Sequence, residues 1–487
     1  MSRPIPLLRI VGCLLLACSL AAPAGSQEIA LLRAALDQAS LRVPGLPDGI
    51  SIQIADQQTG EVIFGRNPDM PQTIASITKL ITTAAAIHYL GPDYKFHTTF
   101  WRQGPIERGN LAGSLLVVGG GDPNISGRFY GDDINAVFDR WADGLRQAGV
   151  TRVTGDILLN ASFFDSVARH PDWPAGQESR WYQAPISALS YNDNVVLVSV
   201  RPGSRPGRPA GVSFEPPVDI LRPVPLAKTV GRRGRVRVAV SRAAGSSAVT
   251  VSGTVPLRRA WWSTPITIDR PPEYFGKALK KRLENAGIAV TGRVIDSATK
   301  PDAGWTQVAT TESDLLPTMD VCNKRSQGFY AEQIFKTLSA AKTGQGSWSR
   351  SVVMVKEFLA ALGLDPNRFQ VRDGSGLSSG NRAAAADLVR FLQAMDRHPH
   401  GELWRSTLAV AGDGAGTLRH RLKDPVTRGQ ILAKTGSLER VSTLAGYAKG
   451  RSGRTYVFAI LLNGRGVSDW GGQAFQDRLL RALVANG

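Results

Sequence analysis

Three short strings, spaced unevenly along the 487 residues, constrain the fold of this chain most strongly. They are residues 76–79 (S-I-T-K), 326–328 (S-Q-G) and 434–436 (K-T-G). The first and third match S-x-x-K and K-T-G, two patterns associated with a nucleophilic serine, and the middle one lacks only the last residue of S-x-N. The first interval is 250 residues and the second is 108. A single site built from all three strings must therefore join residues that are far apart in the chain.

Ser76 and Lys79 are a candidate nucleophile and base. A serine hydroxyl is a weak nucleophile at neutral pH and needs a base within hydrogen-bond reach. Residues three positions apart lie on one face of a helix, and residues 74–86 are mostly apolar or small, which predicts a buried helix ending near Gly91. Burial lowers the pKa of a lysine towards that of a working base. The string alone also occurs by chance, but the order of the three strings favours catalysis.

The K-T-G string precedes a predicted hairpin. Residues 443–448 and 455–462 read as two apolar strands joined by a polar turn. Lys434 would then project from an inner strand towards a substrate carboxylate, and Gly436 would let the substrate backbone approach closely. The alternative is a surface lysine beside a turn.

Together with four further segments, these strings resemble the class C low-molecular-mass penicillin-binding proteins, which are D-alanyl-D-alanine carboxypeptidases and endopeptidases. The further segments are residues 118–123 (V-G-G-G-D-P), 184–194, 373–378 (D-G-S-G-L-S) and 411–414. The long first interval is typical of this class, whereas class A β-lactamases have a short one. The resemblance implies an α/β fold: a β-lactamase/transpeptidase-like catalytic domain, with an antiparallel sheet flanked by helices, and a large strand-rich insertion.

The resemblance also implies roles for residues. Ser76 attacks the peptide of a peptidoglycan stem, Lys79 takes its proton, and Ser326 relays a proton to the leaving amine. Lys434 and Thr435 hold the terminal carboxylate, with Gly436 and Gly328 completing the substrate site. Penicillin and other β-lactams would acylate Ser76 and inhibit the enzyme. No cofactor and no metal are implied, and the histidines lack zinc-ligand spacing.

Gly328 departs from the family pattern, which has asparagine at this place. That carboxamide is expected to contact the substrate carbonyl and the catalytic lysine, and losing one such contact reduces a rate by roughly 10²-fold. Residues 190–192 (S-Y-N) form another S-x-N string, inside the insertion. Two alternative functions follow: a weakly active or non-catalytic peptidoglycan-binding relative, or a β-lactamase or esterase using the same site.

The N-terminus resembles a signal peptide. Arg3 and Arg9 precede an apolar run at residues 10–20, and residues 22–24 (A-P-A) fit a cleavage site. Cleavage near Ala24 predicts a periplasmic protein in which Cys322 is the remaining cysteine, so no internal disulfide forms. Cys18 lies in a partial lipobox, which leaves a lipoprotein as the alternative.

The expected domain division is 1–24 signal peptide, 25–90 first catalytic part, 91–310 inserted strand-rich domains and 311–487 second catalytic part. Helices are predicted over 28–38, 134–148, 328–340, 352–362, 383–395 and 473–484, the second of these being the one helix of the insertion. Residues 373–376 fit a tight turn better than a calcium loop.

The formal net charge is +18, and its densest cluster is residues 232–237 (R-R-G-R-V-R). The cluster is either a solvated face or a patch for peripheral contact with an anionic envelope surface. No nucleic-acid-binding motif is present, so nucleic acid is not an expected partner. The sequence makes no prediction of the oligomeric state.

Overall fold

A computed structural model describes residues 24–41, 49–217 and 219–487. The predicted signal peptide, apart from Ala24, and the lipobox cysteine Cys18 lie outside the described residues. The helices are α1 (Ala24–Ser40), α2 (Thr78–Leu90), α3 (Ala136–Gln147), α4 (Pro271–Asn285), α5 (Leu315–Lys324), α6 (Gly328–Thr343), α7 (Trp348–Ala361), α8 (Ala385–Asp396), α9 (Gly401–Ser406) and α10 (Asp469–Asn486).

The strands follow the same chain order. They are β1 (Ile50–Asp56), β2 (Val62–Arg66), β3 (Gln72–Thr73), β4 (Lys95–Gln103), β5 (Ile106–Glu107), β6 (Asn110–Leu111), β7 (Leu115–Val118), β8 (Arg152–Val153), β9 (Ile157–Asn160), β10 (Val195–Arg201), β11 (Gly211–Glu215), β12 (Arg222–Pro225), β13 (Lys228–Val230), β14 (Arg237–Ser241), β15 (Ala248–Pro256), β16 (Trp262–Thr267), β17 (Ala289–Val290), β18 (Val294–Asp296), β19 (Trp305–Asp314), β20 (Arg382–Ala383), β21 (Ala409–Val410), β22 (Ile431–Leu438), β23 (Val441–Lys449) and β24 (Thr455–Asn463).

The central sheet joins the two ends of the chain. Its strand order is β2-β1-β24-β23-β22-β21, with antiparallel neighbours throughout. Residues of β24 alternate between two cores, as the period of a strand requires. Val457, Ala459 and Leu461 face a core shared with α2, α5, α6, α7 and α8, whereas Phe458 and Ile460 face a core shared with α1 and α10. Helices therefore cover both faces of this sheet, which confirms the predicted fold class.

The region between α2 and α5 consists largely of strands in smaller sheets. A five-stranded sheet has the order β18-β9-β7-β4-β19 and packs with α3 and α4 around Phe138, Trp141 and Phe275. A second group of strands, β10 to β16, surrounds a separate small core of valines such as Val198 and Val251. The expectation of one helix in this region was wrong, since α4 is a second one. Its start signal, proline in the first turn, is a common one.

Candidate active site

Ser76 lies in a 3₁₀ turn (Ala75–Ile77) immediately before α2. Ala75 adopts a left-handed backbone conformation with φ of 48°. A neighbouring loop presses on this turn: a Cβ placed on Gly376, whose φ is +78°, would lie 1.9 Å from the Ala75 carbonyl oxygen. Glycine at position 376 thus permits the contact that fixes the turn of the candidate nucleophile.

Lys79 is brought to Ser76 as the sequence predicts. Its Nζ lies 2.9 Å from Ser76 Oγ and donates to the Ser375 carbonyl at 2.5 Å. The side chain is buried at one helical turn from the serine, with its residue only 2% exposed. Burial is the main reason that the pKa of Lys79 is lowered, and nearby Cys322, Glu332 and Asp373 oppose this shift. A lysine with a lowered pKa, in contact with a serine hydroxyl, is suited to act as a base.

Glu332 holds the loop that supplies the Ser375 carbonyl. Its carboxylate accepts hydrogen bonds from the backbone N–H groups of Gly374 (2.9 Å) and Ser375 (2.8 Å) and from Trp348 Nε1 (2.7 Å). The side chain is fully buried, and burial together with the negative charge of Asp373 raises the pKa of Glu332 to about 7. Glu332 thereby fixes the position of an acceptor for Lys79.

Asp373 closes the same loop from within. It accepts from the N–H groups of Gly376 and Ser378, both at 2.7 Å, and from Trp173 Nε1 at 3.0 Å. The sequence predicts a tight turn here and includes the segment in the family resemblance, without assigning it a role in the site. The structure shows that residues 375–377 line the cleft, a position that depends on tertiary packing.

Ser326 and Lys434 meet on the opposite side of the cleft. Lys434 Nζ donates to Ser326 Oγ at 2.7 Å and to the Thr435 carbonyl at 2.7 Å. Lys434 is fully buried, and burial, followed by the charge of Lys79, places the pKa of Lys434 well below its ordinary value. The Nζ atom is directed at the Ser326 hydroxyl behind the cleft wall instead of pointing into the cleft.

Thr435 and Gly436 follow on β22. Thr435 Oγ1 lies 2.8 Å from the exposed Thr417 Oγ1, and both residues line the cleft. A Cβ on Gly436 would lie 2.2 Å from Thr443 Oγ1 and 3.0 Å from the Ser76 backbone nitrogen. Glycine at position 436 thus lets β22 approach the nucleophile turn itself. Sequence analysis assigned Thr417 no role, although this residue closely follows the 411–414 segment of the family resemblance.

Gly328 lines the cleft at the start of α6. A Cβ at this position would lie 3.6 Å from Ser375 Cβ and 3.8 Å from the Tyr182 carbonyl oxygen, both ordinary contact distances. Its backbone is outside the left-handed region, so neither space nor conformation requires glycine here.

The insertion contacts the second motif through Asp193. Gln327 Nε2 donates to Asp193 Oδ2 at 3.2 Å, and Arg128 Nη2 donates to the same oxygen at 2.5 Å. Arg128 Nε in turn contacts the Tyr330 hydroxyl at 3.2 Å. This network flanks Ser326, which adopts a left-handed conformation with φ of 58°. The alternative S-x-N string lies elsewhere: Ser190 is buried and accepts hydrogen bonds from Gln333 and Asn194.

The cleft has a volume of about 1170 Å³. Ser76, Lys79, Ser326, Gly328, Thr435 and Gly436 all line it, so of the predicted site residues Lys434 alone lies behind its wall. Residues of the insertion and of the C-terminal part of the chain also line the cleft. From the insertion these are Asp172, Pro174, Gln177, Trp181 and Tyr182, and from the C-terminal part they include Arg421, Arg440, Asp469 and Gln473.

The fold and the cleft define a nucleophilic-serine enzyme of the β-lactamase/transpeptidase class. The family model described as the D-Ala-D-Ala carboxypeptidase 3 (S13) family matches residues 32–483. The chain belongs to this family and is a serine-type D-Ala-D-Ala carboxypeptidase. The non-catalytic and β-lactamase alternatives are not favoured.

Individual relatives agree with this assignment. A D-alanyl-D-alanine carboxypeptidase of an Actinomadura species is 31% identical over 473 residues, covering 94% of this chain and 86% of that protein. The carboxypeptidase DacB of Haemophilus influenzae is 24% identical over 439 residues, covering 87% and 88%. The crystal structure of penicillin binding protein 4 (dacB) from Haemophilus influenzae is similar in fold, with a TM-score of 0.78 at 22% identity over 93% of this chain and 98% of that one.

Proposed function

We propose that Ser76, Lys79 and Ser326 are the catalytic residues of this chain. They cleave the D-Ala-D-Ala terminus of peptidoglycan stem peptides through an acyl-enzyme. The observation that supports this most directly is the pair of contacts that Lys79 Nζ makes, 2.9 Å to Ser76 Oγ and 2.5 Å to a fixed carbonyl. These contacts hold a buried amine with a lowered pKa against the hydroxyl that it must deprotonate.

In the proposed first step, neutral Lys79 takes the proton of Ser76 while Oγ attacks the carbonyl carbon of the penultimate D-alanine. The Ser76 backbone N–H stabilises the oxyanion, since it lies at the N-terminal end of α2. Collapse of the intermediate breaks the C–N bond. Ser326 passes its proton to the leaving amine and regains one from Lys434, which donates to it at 2.7 Å.

In the second step, water attacks the ester carbonyl and its proton passes through Ser326 to Lys434, which the first step left neutral. Lys79 returns its proton to Ser76 Oγ as the ester bond breaks, which frees the shortened peptide and regenerates Ser76. The terminal carboxylate of the substrate is assigned to the hydroxyls of Thr435 and Thr417, which lie side by side in the cleft. Lys434 supports this site electrostatically from behind Ser326. Gly436 contributes its backbone to this site, and Gly328 leaves open space beside it.

The same cleft supports endopeptidase activity on cross-linked peptides. Its volume is about 1170 Å³, and its lining includes residues of the insertion and of α10, so it is large enough for a leaving group bigger than a single alanine. β-Lactams, whose ring amide resembles the scissile bond, would acylate Ser76.

The proposed location of the protein is the periplasm, after removal of residues 1–24. The domain division at residues 90 and 310 is also part of this proposal. No helix among the described residues is long and apolar enough to cross a bilayer.

The assignment is tested by incubating the purified chain with a fluorescent penicillin and mapping the labelled peptide by mass spectrometry. A stable adduct on Ser76 is expected, with its loss in Ser76→Ala and its retention in the control Ser349→Ala on α7. Labelling that persists in Ser76→Ala would contradict the assigned nucleophile. Release of D-alanine from a soluble pentapeptide and cleavage of a cross-linked dimer, measured separately, distinguish the carboxypeptidase and endopeptidase activities.

A further inference from the structure

Positive charge is concentrated in one part of the insertion. Residues 195–267, which contain β10 to β16, hold twelve Lys and Arg residues but only Glu215 and Asp219 as acids, a net charge of +10 out of +18 for the whole chain. Their core is small and consists mainly of valines. Apart from the buried Arg242, these cations therefore lie on the surface of this group of strands.

Three loops bring many of these charges to one edge. Residues 203–209, 231–235 and 257–261 all meet at β13 (Lys228–Val230). Gly207 N donates to the Thr229 carbonyl at 2.9 Å, and Thr229 N donates to the Arg208 carbonyl at 2.8 Å. Leu257 N donates to the Val230 carbonyl at 3.0 Å, which places the third loop beside the second. These three loops are referred to below as the basic edge.

The basic edge is exposed and lacks counter-charges. Its arginines, at positions 205, 208, 232, 233, 235, 258 and 259, are all exposed, and within the described ranges none of them forms a salt bridge. By contrast, the buried Arg242 of the same strands pairs with Asp269. A face that is merely solvated normally mixes both signs, because like charges held together repel one another. An edge of one sign indicates an anionic partner.

Trp261 specifies the kind of partner. It lies in the third loop, next to Arg258 and Arg259, and is 57% exposed. An indole with an apolar body and a polar N–H is suited to the headgroup region of a bilayer. Arginines beside it are attracted by anionic lipids, each contributing roughly 1 kcal/mol near the surface. A dissolved polyanion would use the arginines but would leave the indole in water.

We propose that the basic edge docks the protein on the surface of an anionic lipid bilayer. The contact is peripheral and requires no catalysis, so it is independent of the proposed roles of Ser76 and Lys79. The insertion links the basic edge to the cleft, so docking would hold the cleft close to the membrane. Asp193, two residues before β10, contacts Gln327 of the second motif.

The test is co-sedimentation of the full mature chain with vesicles of phosphatidylcholine alone or with 30 mol% phosphatidylglycerol added, a composition chosen for the assay as roughly that of an anionic membrane surface. Binding is expected with the anionic vesicles and is expected to weaken as salt rises. The double variant Arg258→Gln/Arg259→Gln should lower the partition coefficient about 25-fold. Trp261→Ala should lower the binding that remains at high salt.

A matched control removes two exposed arginines elsewhere. Arg451→Gln/Arg454→Gln, in the turn between β23 and β24, changes the net charge equally and should leave vesicle binding unchanged. Penicillin labelling of Ser76 shows that each variant is folded. Equal losses in the two double variants would mean that net charge alone acts, and the proposal would be overturned. Binding of soluble polyphosphate without binding of the anionic vesicles would also overturn the proposal, because it would indicate a site for a dissolved polyanion.

Discussion

The catalytic cleft and the basic edge both gather positive charge, but in opposite environments. Lys79 in the cleft and Lys434 behind its wall are both buried, and each has a serine hydroxyl and a backbone carbonyl as hydrogen-bond acceptors. At the basic edge, arginines are exposed and free of salt bridges within the described chain. Burial lowers a lysine pKa and makes it a base, whereas exposure leaves an arginine charged and available to a partner. Environment and residue type together therefore decide whether a cation acts as a base or binds an anionic partner.

The largest effect is expected from removing the buried amine. Lys79→Ala should lower the rate of penicillin acylation by about 10²- to 10⁴-fold, because Ser76 loses its base. The control Lys356→Ala removes an exposed lysine on α7 and should leave the rate unchanged. Stopped-flow measurement with a fluorescent penicillin gives both rates. Similar acylation rates in the two variants would show that the buried Lys79 is no more important for acylation than an exposed lysine.

Gly328→Asn tests whether the cleft lacks a polar contact. The substitution should raise the rate of D-alanine release by roughly 10²-fold, the magnitude of one such contact. The site has room for the new Cβ, whose nearest neighbour would be 3.6 Å away. Gly328→Ala is the control, since it fills the same space without an amide and should give no gain. If asparagine and alanine behave alike, another group already makes this contact.

Glu332→Gln examines how the buried lysine is held. We expect a loss of roughly 10- to 100-fold in acylation rate, because an amide NH₂ would face the N–H groups that now donate to the carboxylate, and the Ser375 carbonyl would shift.

The pH profile separates this effect from general damage. The negative charge of Glu332 raises the pKa of Lys79, opposing the larger lowering by burial. Acylation should increase with pH as Lys79 loses its proton, and in Glu332→Gln this increase should occur at lower pH. A lower rate with an unshifted profile would mean that Glu332 acts on the loop alone.

The smallest effect is expected at the basic edge. Arg232→Gln/Arg233→Gln should change the free energy of unfolding by less than about 0.5 kcal/mol, and in the stabilising direction, because repelling charges are removed. Urea denaturation followed by circular dichroism measures this. A marked destabilisation would show that these arginines stabilise the fold and are not simply available to bind a partner.

Much of the site was predictable because its chemistry is local. Ser76 and Lys79 are one helical turn apart, so their contact follows from helix geometry once the apolar run predicts a helix. The hairpin of β23 and β24 was likewise predicted from two apolar strands around a polar turn. Helix α4 was missed even though proline in its first turn marks a common helix start.

The sequence alone predicted the nucleophile and its base, because their pairing depends on residues one helical turn apart. It also predicted a long insertion from the unequal intervals between the three strings, and it fixes which segments carry the arginines. Tertiary structure decided that Lys434 lies behind the cleft and contacts Ser326, and that Glu332 and Asp373 fix the loop against Lys79. It also decided that three separate loops form one basic edge. These contacts join residues far apart in the chain, and their distances are set by how the sheets and helices pack, which local sequence does not specify.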